Sequence, residues 1–225
     1  MKSKLIVIAG TDGSGKETQT ENLVKRLKNK GYPVKTISFP QHGERSATLV
    51  DDYLNGIYGT AKEVGPYRAS IFFACDRYAA SFQIRKWLEQ GKIIISDRYV
   101  SANVGHQGGK IKDINKRNKY LDWLFDLEFN TFGIPRPDKN ILLYVPPEIA
   151  QKLVKKKGLR EYIKNNNNED IHEKDLTHLK DSASAYLYAA DKYGWDKIDC
   201  APDNKMRTID DISQELWEKV KSLIN

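Results

Sequence analysis

The sequence predicts an α/β fold, a parallel five-stranded sheet with helices on both faces. Short, nearly continuous apolar runs recur along the chain, too short for helices and too unbroken for strands with one wet face. Longer stretches with apolar residues at helical spacing separate them, and glycine or proline marks most of the joins.

Taken in order, residues 4–10 (KLIVIAG) read as a buried strand closed by glycine. From Lys16 to Lys30, Leu23, Val24 and Leu27 sit at helical spacing, and Gly31 and Pro33 stop the helix. Residues 34–40 (VKTISFP) are a second strand closed by Pro40. Helical material starts near Ala47, and a long helix runs from about Pro66 to Gln90, with Gly91 just past its end. Residues 92–97 (KIIISD) form a third strand ending in Asp97. A helix from about Lys112 to Phe132 breaks at IPRPDK, residues 140–145 (NILLYV) are a fourth strand, and Pro147 opens the next helix. The polar stretch 155–170 (KKKGLREYIKNNNNED) reads as an irregular, mobile loop. A helix from about Ile171 to Tyr193, the strand WDKIDC (195–200), the loop APDNKMR and a final helix complete one domain spanning residues 1–225.

At 225 residues the chain is long enough for one well-formed core and short for two. A formal net charge of +7 suits anionic partners without choosing among them. Cys75 and Cys200 lack metal-ligand spacing, which agrees with a reducing, cytoplasmic setting. The apolar run Leu5–Ala9 is too short for a signal peptide, and nothing approaches the length of a membrane span.

The stretch GTDGSGK carries the chemistry. Gly10 ends a strand, Gly13 and Gly15 lie in the turn, and Lys16 opens a helix: the G-x-x-x-x-G-K pattern in strand–loop–helix context. Glycines let backbone N–H groups wrap phosphate oxygens, the helix N-terminus adds its dipole, and the lysine reaches the terminal phosphates. The loop from Gly10 through Asp12, Gly13, Ser14, Gly15, Lys16, Glu17 and Thr18 is therefore the candidate phosphate site. Glu17 stands where a magnesium-binding hydroxyl is usual, and with no NKxD guanine motif this argues against a switch GTPase. Asp97 ends the third strand, so its carboxylate projects into the ligand crevice of a parallel sheet, with Arg98 beside it for phosphate. Phe73 and Arg77 are four apart on one helical face, able to stack a base and donate to its edge; taken alone, they read as a core ring and a solvated charge.

Together GTDGSGKETQ, SFPQHG, FFACDRY, SDRYVSANVGHQGGK, RPDKNILLYVPPE and DIHEKD resemble the thymidylate kinase family of P-loop nucleoside-monophosphate kinases. The resemblance implies a homodimer that moves the terminal phosphate of ATP to dTMP with Mg²⁺. It implies that Asp12 contacts the deoxyribose hydroxyl, Phe73 stacks on thymine, and Arg77 bonds its carbonyl. By the same likeness Asn103 and Gln107 would finish the thymine pocket and Phe39 would line the acceptor site, with Arg45, further past Pro40 than the family's usual arginine, as the candidate for the acceptor phosphate. Arg98 would lie between the two phosphates, Asp97 near the metal, and the loop 155–170 would be a lid supplying Arg160 as a catalytic cation. His106 stands where many bacterial members have a tyrosine that helps exclude ribose. The acceptor is already anionic, so positioning and charge neutralisation would carry catalysis without a general base. A same-fold kinase for another deoxynucleotide or deoxynucleoside, or a P-loop ATPase switch, are the alternatives. Basic residues without aromatic interleaving give no nucleic-acid platform.

Overall fold

The computed structural model describes residues 3–157 and 176–224. Its sheet has five strands in the order β2-β3-β1-β4-β5, all parallel. These are β1 (Lys4–Ala9), β2 (Val34–Ser38), β3 (Ile93–Asp97), β4 (Lys139–Tyr144) and β5 (Asp196–Asp199). The apolar runs become strands because they are buried on both faces. From Leu5 to Ala9 every residue of β1 is buried, and so are Ile93 to Ser96 in β3.

Side-chain alternation divides the core. Ile6, Ile8, Ile93, Ile95, Ile141 and Leu143 point toward α1 (Lys16–Asn29) and α8 (Ile209–Ile224). Leu5, Val7 and Ile94 face the other side, where α3 (Ala61–Glu89), α4 (Val100–His106) and α5 (Ile114–Phe125) pack. Helix α1 buries Leu23, Val24 and Leu27, as their spacing predicts. Gln19 pins it to α8: its amide donates to the Ile209 carbonyl at 3.0 Å and accepts from Ser213 Oγ at 2.6 Å.

The long helix starts earlier than the sequence indicates. A Thr60–Glu63 capping box opens a short turn at Ala61, and Gly65 (φ 74°) breaks the helix before Pro66 restarts it. The expected helix over 112–132 divides into α5 and a π-helical turn, Asp126–Thr131. The wider turn accompanies a buried acid, Glu128. The short helix α2 (Thr48–Leu54) packs against α3, as does α4. Helix α6 (Pro147–Lys157) runs three residues into the stretch read as irregular, so Lys155, Lys156 and Lys157 form its last turn. The rest of the expected lid, Arg160 included, and the expected helical start at Ile171 lie outside the described residues; α7 is described from Leu176 to Tyr193.

Candidate active site

The strand order puts the site where it is. From β1 the chain crosses to β2 on one side, and from β3 it crosses to β4 on the other, so the β1/β3 boundary is a topological switch point. At the carboxyl ends of those two strands lie the glycine-rich turn and Asp97. The register pairs Ile8 with Asp97, and the Arg98 backbone N–H continues the ladder by donating to the Ile8 carbonyl at 3.1 Å.

In the turn, Gly10, Gly13 and Gly15 all have positive φ, and Gly13 is also hemmed in. A Cβ there would meet the Ala150 carbonyl oxygen at 2.3 Å, so only glycine lets α6 pass this close to the loop. Lys16 is 6% exposed, and its Nζ donates to the Thr11 carbonyl at 2.7 Å and to Ser14 Oγ at 3.4 Å. The ammonium is thus held over the loop that would wrap a phosphate chain. Glu17 and Thr18 are exposed in the first turn of α1, where an acid is favoured by the helix dipole.

Arg98 joins the two motifs. Its backbone is left-handed (φ 65°), its Nη2 pairs with Asp12 of the loop, and its Nη1 donates to His106 Nε2 at 3.0 Å. Because a guanidinium can only donate, His106 Nε2 is the acceptor and its ring proton sits on Nδ1. That nitrogen faces His178 Nε2 at 3.4 Å, and the two rings are stacked. Tyr186 stands edge-on to His106 and so close to α4 that a Cβ on Gly105 would fall 2.1 Å from its ring. Burial pushes the Tyr186 hydroxyl well above its ordinary range, and the Asp12 and Asp97 carboxylates push the same way against Arg98. Asp97 Oδ1 is buried with no hydrogen-bond partner among the described residues.

The residues assigned to a base pocket lie around α3 and α4. Phe73 packs edge-on against Tyr53 at 6.2 Å, in a cluster with Val50 and Leu54. Asn103 is 1% exposed and donates to the Ser70 carbonyl at 3.3 Å. Gln107, equally buried, accepts from Lys110 Nζ at 2.7 Å, and that ammonium also donates to the Tyr53 hydroxyl at 2.9 Å. Phe39 is buried against Tyr99, 5.6 Å between ring centres. Arg45 is exposed on a 3-10 turn, Arg45–Ala47.

Arg77 corrects the sequence reading of a solvated charge. It is 1% exposed, and its Nε and Nη2 donate to both carboxylate oxygens of Glu128. Burial works against the guanidinium's charge, and the Glu128 carboxylate outweighs it, leaving the pKa above its usual value. Nη1 lies outside this pairing. Two residues escaped the sequence reading. Glu128 stands in no motif and meets Arg77 across 51 residues. Asp76, hidden inside FFACDRY, accepts from the Gln41 backbone N–H at 2.9 Å and from Ser46 Oγ at 2.7 Å, tying the loop that carries Arg45 to α3.

Comparison with known proteins agrees with this geometry. A family model described as thymidylate kinase matches residues 8–193. The thymidylate kinase of Mycobacterium tuberculosis is 33% identical over 147 residues, covering 65% of this chain and 68% of that protein. That of Plasmodium falciparum is 28% identical over 222 residues, 99% of this chain and 91% of its own. The solved thymidylate kinase of Candida albicans superposes with a TM-score of 0.71 at 25% identity, covering 98% and 92% of the two chains.

Proposed function

This chain belongs to the thymidylate kinase family, and from that premise we propose that it transfers the terminal phosphoryl group of ATP to dTMP, giving ADP and dTDP. The observation that carries the reading is the Arg98–Asp12 pair, which links a phosphate-wrapping loop to an arginine on the neighbouring strand end. A phosphotransferase needs that juxtaposition: cations at the seam between donor and acceptor phosphates and a carboxylate near the acceptor sugar.

In this mechanism the loop N–H groups and Lys16 hold the donor phosphates. Arg98 leaves Asp12 to bridge the two phosphates, and Asp12 turns to a sugar hydroxyl. Phe73, Arg77, Asn103 and Gln107 hold the thymine, with Phe39 and Arg45 toward the acceptor phosphate. The attacking oxygen is anionic, so the residues orient it in line and no base is required. The buried, unpartnered Asp97 Oδ1 fits a magnesium ion held mainly by phosphates and water, and Mg²⁺ there would neutralise charge on the transferring group. Residues 155–170 serve as a lid over ATP, with Arg160 as its catalytic cation.

The chain acts as one domain and as a homodimer. Supporting the dimer, Tyr67, Ile71, Tyr78 and Phe82 lie exposed at spacings of 4, 7 and 4 along one face of α3. Cys75 and Cys200 are unbridged, which fits a reducing, cytoplasmic setting, and no described helix is long and apolar enough to cross a membrane.

The test is ADP formation from ATP and Mg²⁺ with dTMP, dUMP, ribose TMP, dCMP, dGMP and thymidine as separate acceptors. Preference for dTMP is expected. ADP release that ignores every acceptor would overturn the reading in favour of an ATPase. Equal rates on the ribose form would trace to His106, which replaces a tyrosine at the sugar.

A further inference from the structure

Two amides of the base pocket have their polarity fixed by partners that leave no choice. Lys110 Nζ donates to Gln107 Oε1 at 2.7 Å. An ammonium can only donate, so the amide oxygen faces it and the Nε2 hydrogens point elsewhere. Asn103 is tied the opposite way. Its Nδ2 donates to the Ser70 carbonyl at 3.3 Å, and a carbonyl can only accept, so Oδ1 is the end left over. Gln107 Nε2 and Asn103 Oδ1 have no hydrogen-bond partner among the described residues. Neither is one of the sealed, unpartnered polar atoms, so both reach accessible space.

The lysine is firmly placed. It ends the 3-10 turn Gly108–Lys110, which follows α4 and lies against α7: a Cβ on Gly109 would fall 2.8 Å from the Asp181 backbone. The same Nζ donates to the Tyr53 hydroxyl at 2.9 Å, and buried Tyr53 stands edge-on to Phe73. One half-buried ammonium thus ties the wall behind the stacking ring to an amide that reads the base's edge.

On the reading that this pocket holds thymine, we propose that Lys110 is a positioning residue that sets which base is accepted. With Gln107 locked nitrogen-outward, the pocket presents a donor from Arg77, an acceptor from Asn103 and a donor from Gln107. Thymine's edge runs carbonyl, N–H, carbonyl, which is the complement of that set. Cytosine presents an amino group to Arg77 and a bare ring nitrogen to Asn103, and is opposed at both. Guanine shares thymine's carbonyl and N–H and differs at its 2-amino group, which meets the Gln107 donor head-on. The ammonium that keeps Gln107 from turning over therefore keeps guanine out.

The test is calorimetric titration of the full chain with dTMP, dGMP and dCMP, without ATP, for the parent, Lys110→Met, Lys110→Arg and Gln107→Glu. Lys110→Met releases the amide to turn its oxygen to the base. Gln107→Glu presents an oxygen there with the ammonium still in place, so poor folding of Lys110→Met leaves the test intact. In both, the preference for dTMP over dGMP should fall at least about tenfold. The preference for dTMP over dCMP should hold, because cytosine's mismatches lie at Arg77 and Asn103. Lys110→Arg supplies another cation that only donates, and should keep the parent's preferences. The proposal falls if the dTMP-to-dGMP preference shifts less than about tenfold in Gln107→Glu or in a folded Lys110→Met, or if dGMP stays unbound. It falls equally if dCMP gains as much as dGMP, which marks a merely loosened pocket, or if Lys110→Arg behaves like Lys110→Met. Affinities are read without turnover. A parent that binds dTMP yet fails the acceptor panel overturns the phosphotransfer reading alone, and a parent that passes it while the variants keep its preferences overturns this one alone.

Discussion

Replacing Glu128 with alanine strands the Arg77 guanidinium in the interior. The two side chains are 2% and 0% exposed, so water cannot take the carboxylate's place. Removing one partner of a buried ion pair costs about 3–5 kcal/mol, because the remaining charge keeps its desolvation penalty and loses its counter-charge. In a protein of this size each kcal/mol moves the melting temperature by about 2–4 °C, so Glu128→Ala should melt about 6–20 °C lower. The double variant Arg77→Met/Glu128→Leu removes both charges, and its stability should return to within about 2 kcal/mol of the parent. Urea unfolding of the four proteins, followed by tryptophan fluorescence and far-ultraviolet circular dichroism, closes the cycle. A loss below about 1 kcal/mol for the single variant, or a double variant as unstable as the two singles summed, would refute the argument. The double variant also separates structure from recognition. If Arg77 holds thymine through the nitrogen that Glu128 leaves aside, the folded double variant has a raised KM for dTMP and an unchanged KM for ATP.

Lys16→Ala and Arg98→Ala should each fold normally and lower turnover at least about a hundredfold, since each removes charge that stabilises the transferring phosphoryl group; a near-normal rate in a kinetic assay would dismiss that residue's role. Gly13→Ala must move the loop or α6, because its φ of 77° is strained for alanine and its Cβ would meet the Ala150 carbonyl, so ADP affinity by calorimetry should fall at least about tenfold. Parent-like affinity would show that the loop tolerates a side chain there. Burial pushes the Cys200 thiol up to about 12 and also raises Cys75. A raised folded-state pKa means this stability is complete below the unfolded value of about 8.5 and is lost as pH climbs toward 12. Cys200 should therefore resist a disulfide-exchange reagent at about pH 8 until denaturant is added, and prompt labelling of the native protein would contradict its burial.

The strands and the phosphate loop were legible because their signals are local. Unbroken apolar runs such as Leu5–Ala9 can only be buried on both faces, and the glycine spacing before Lys16 carries its own stereochemistry. Gly65 before Pro66 could have been read as a break, but the Thr60–Glu63 box that starts the helix earlier went unremarked. Contacts between distant segments left no such mark. Glu128 sits in an unremarkable DLEFNT, and only the π-turn brings it to Arg77. Asp76 was visible within a motif, but its partners lie 30 and 35 residues earlier, so its work of holding the Arg45 loop could not be read from spacing. His178 was one histidine among four until the fold laid it on His106.

The central place of β1 has a consequence for how the protein is made. Among the described residues β1 is hydrogen-bonded in the finished sheet to β3 and β4, both of which leave the ribosome well after it. Its partner Ile93 is synthesised about 89 residues after Lys4, which at about 5–20 residues per second is a wait on the order of 4–18 s. Throughout that interval the chain carries a segment apolar from Leu5 to Ala9 with both edges open, a form prone to pair with a neighbouring nascent chain. The strand that aims the phosphate loop is thus also open to mispairing during synthesis, and changes that slow translation between α1 and β3 should lower the yield of folded protein without altering the folded state.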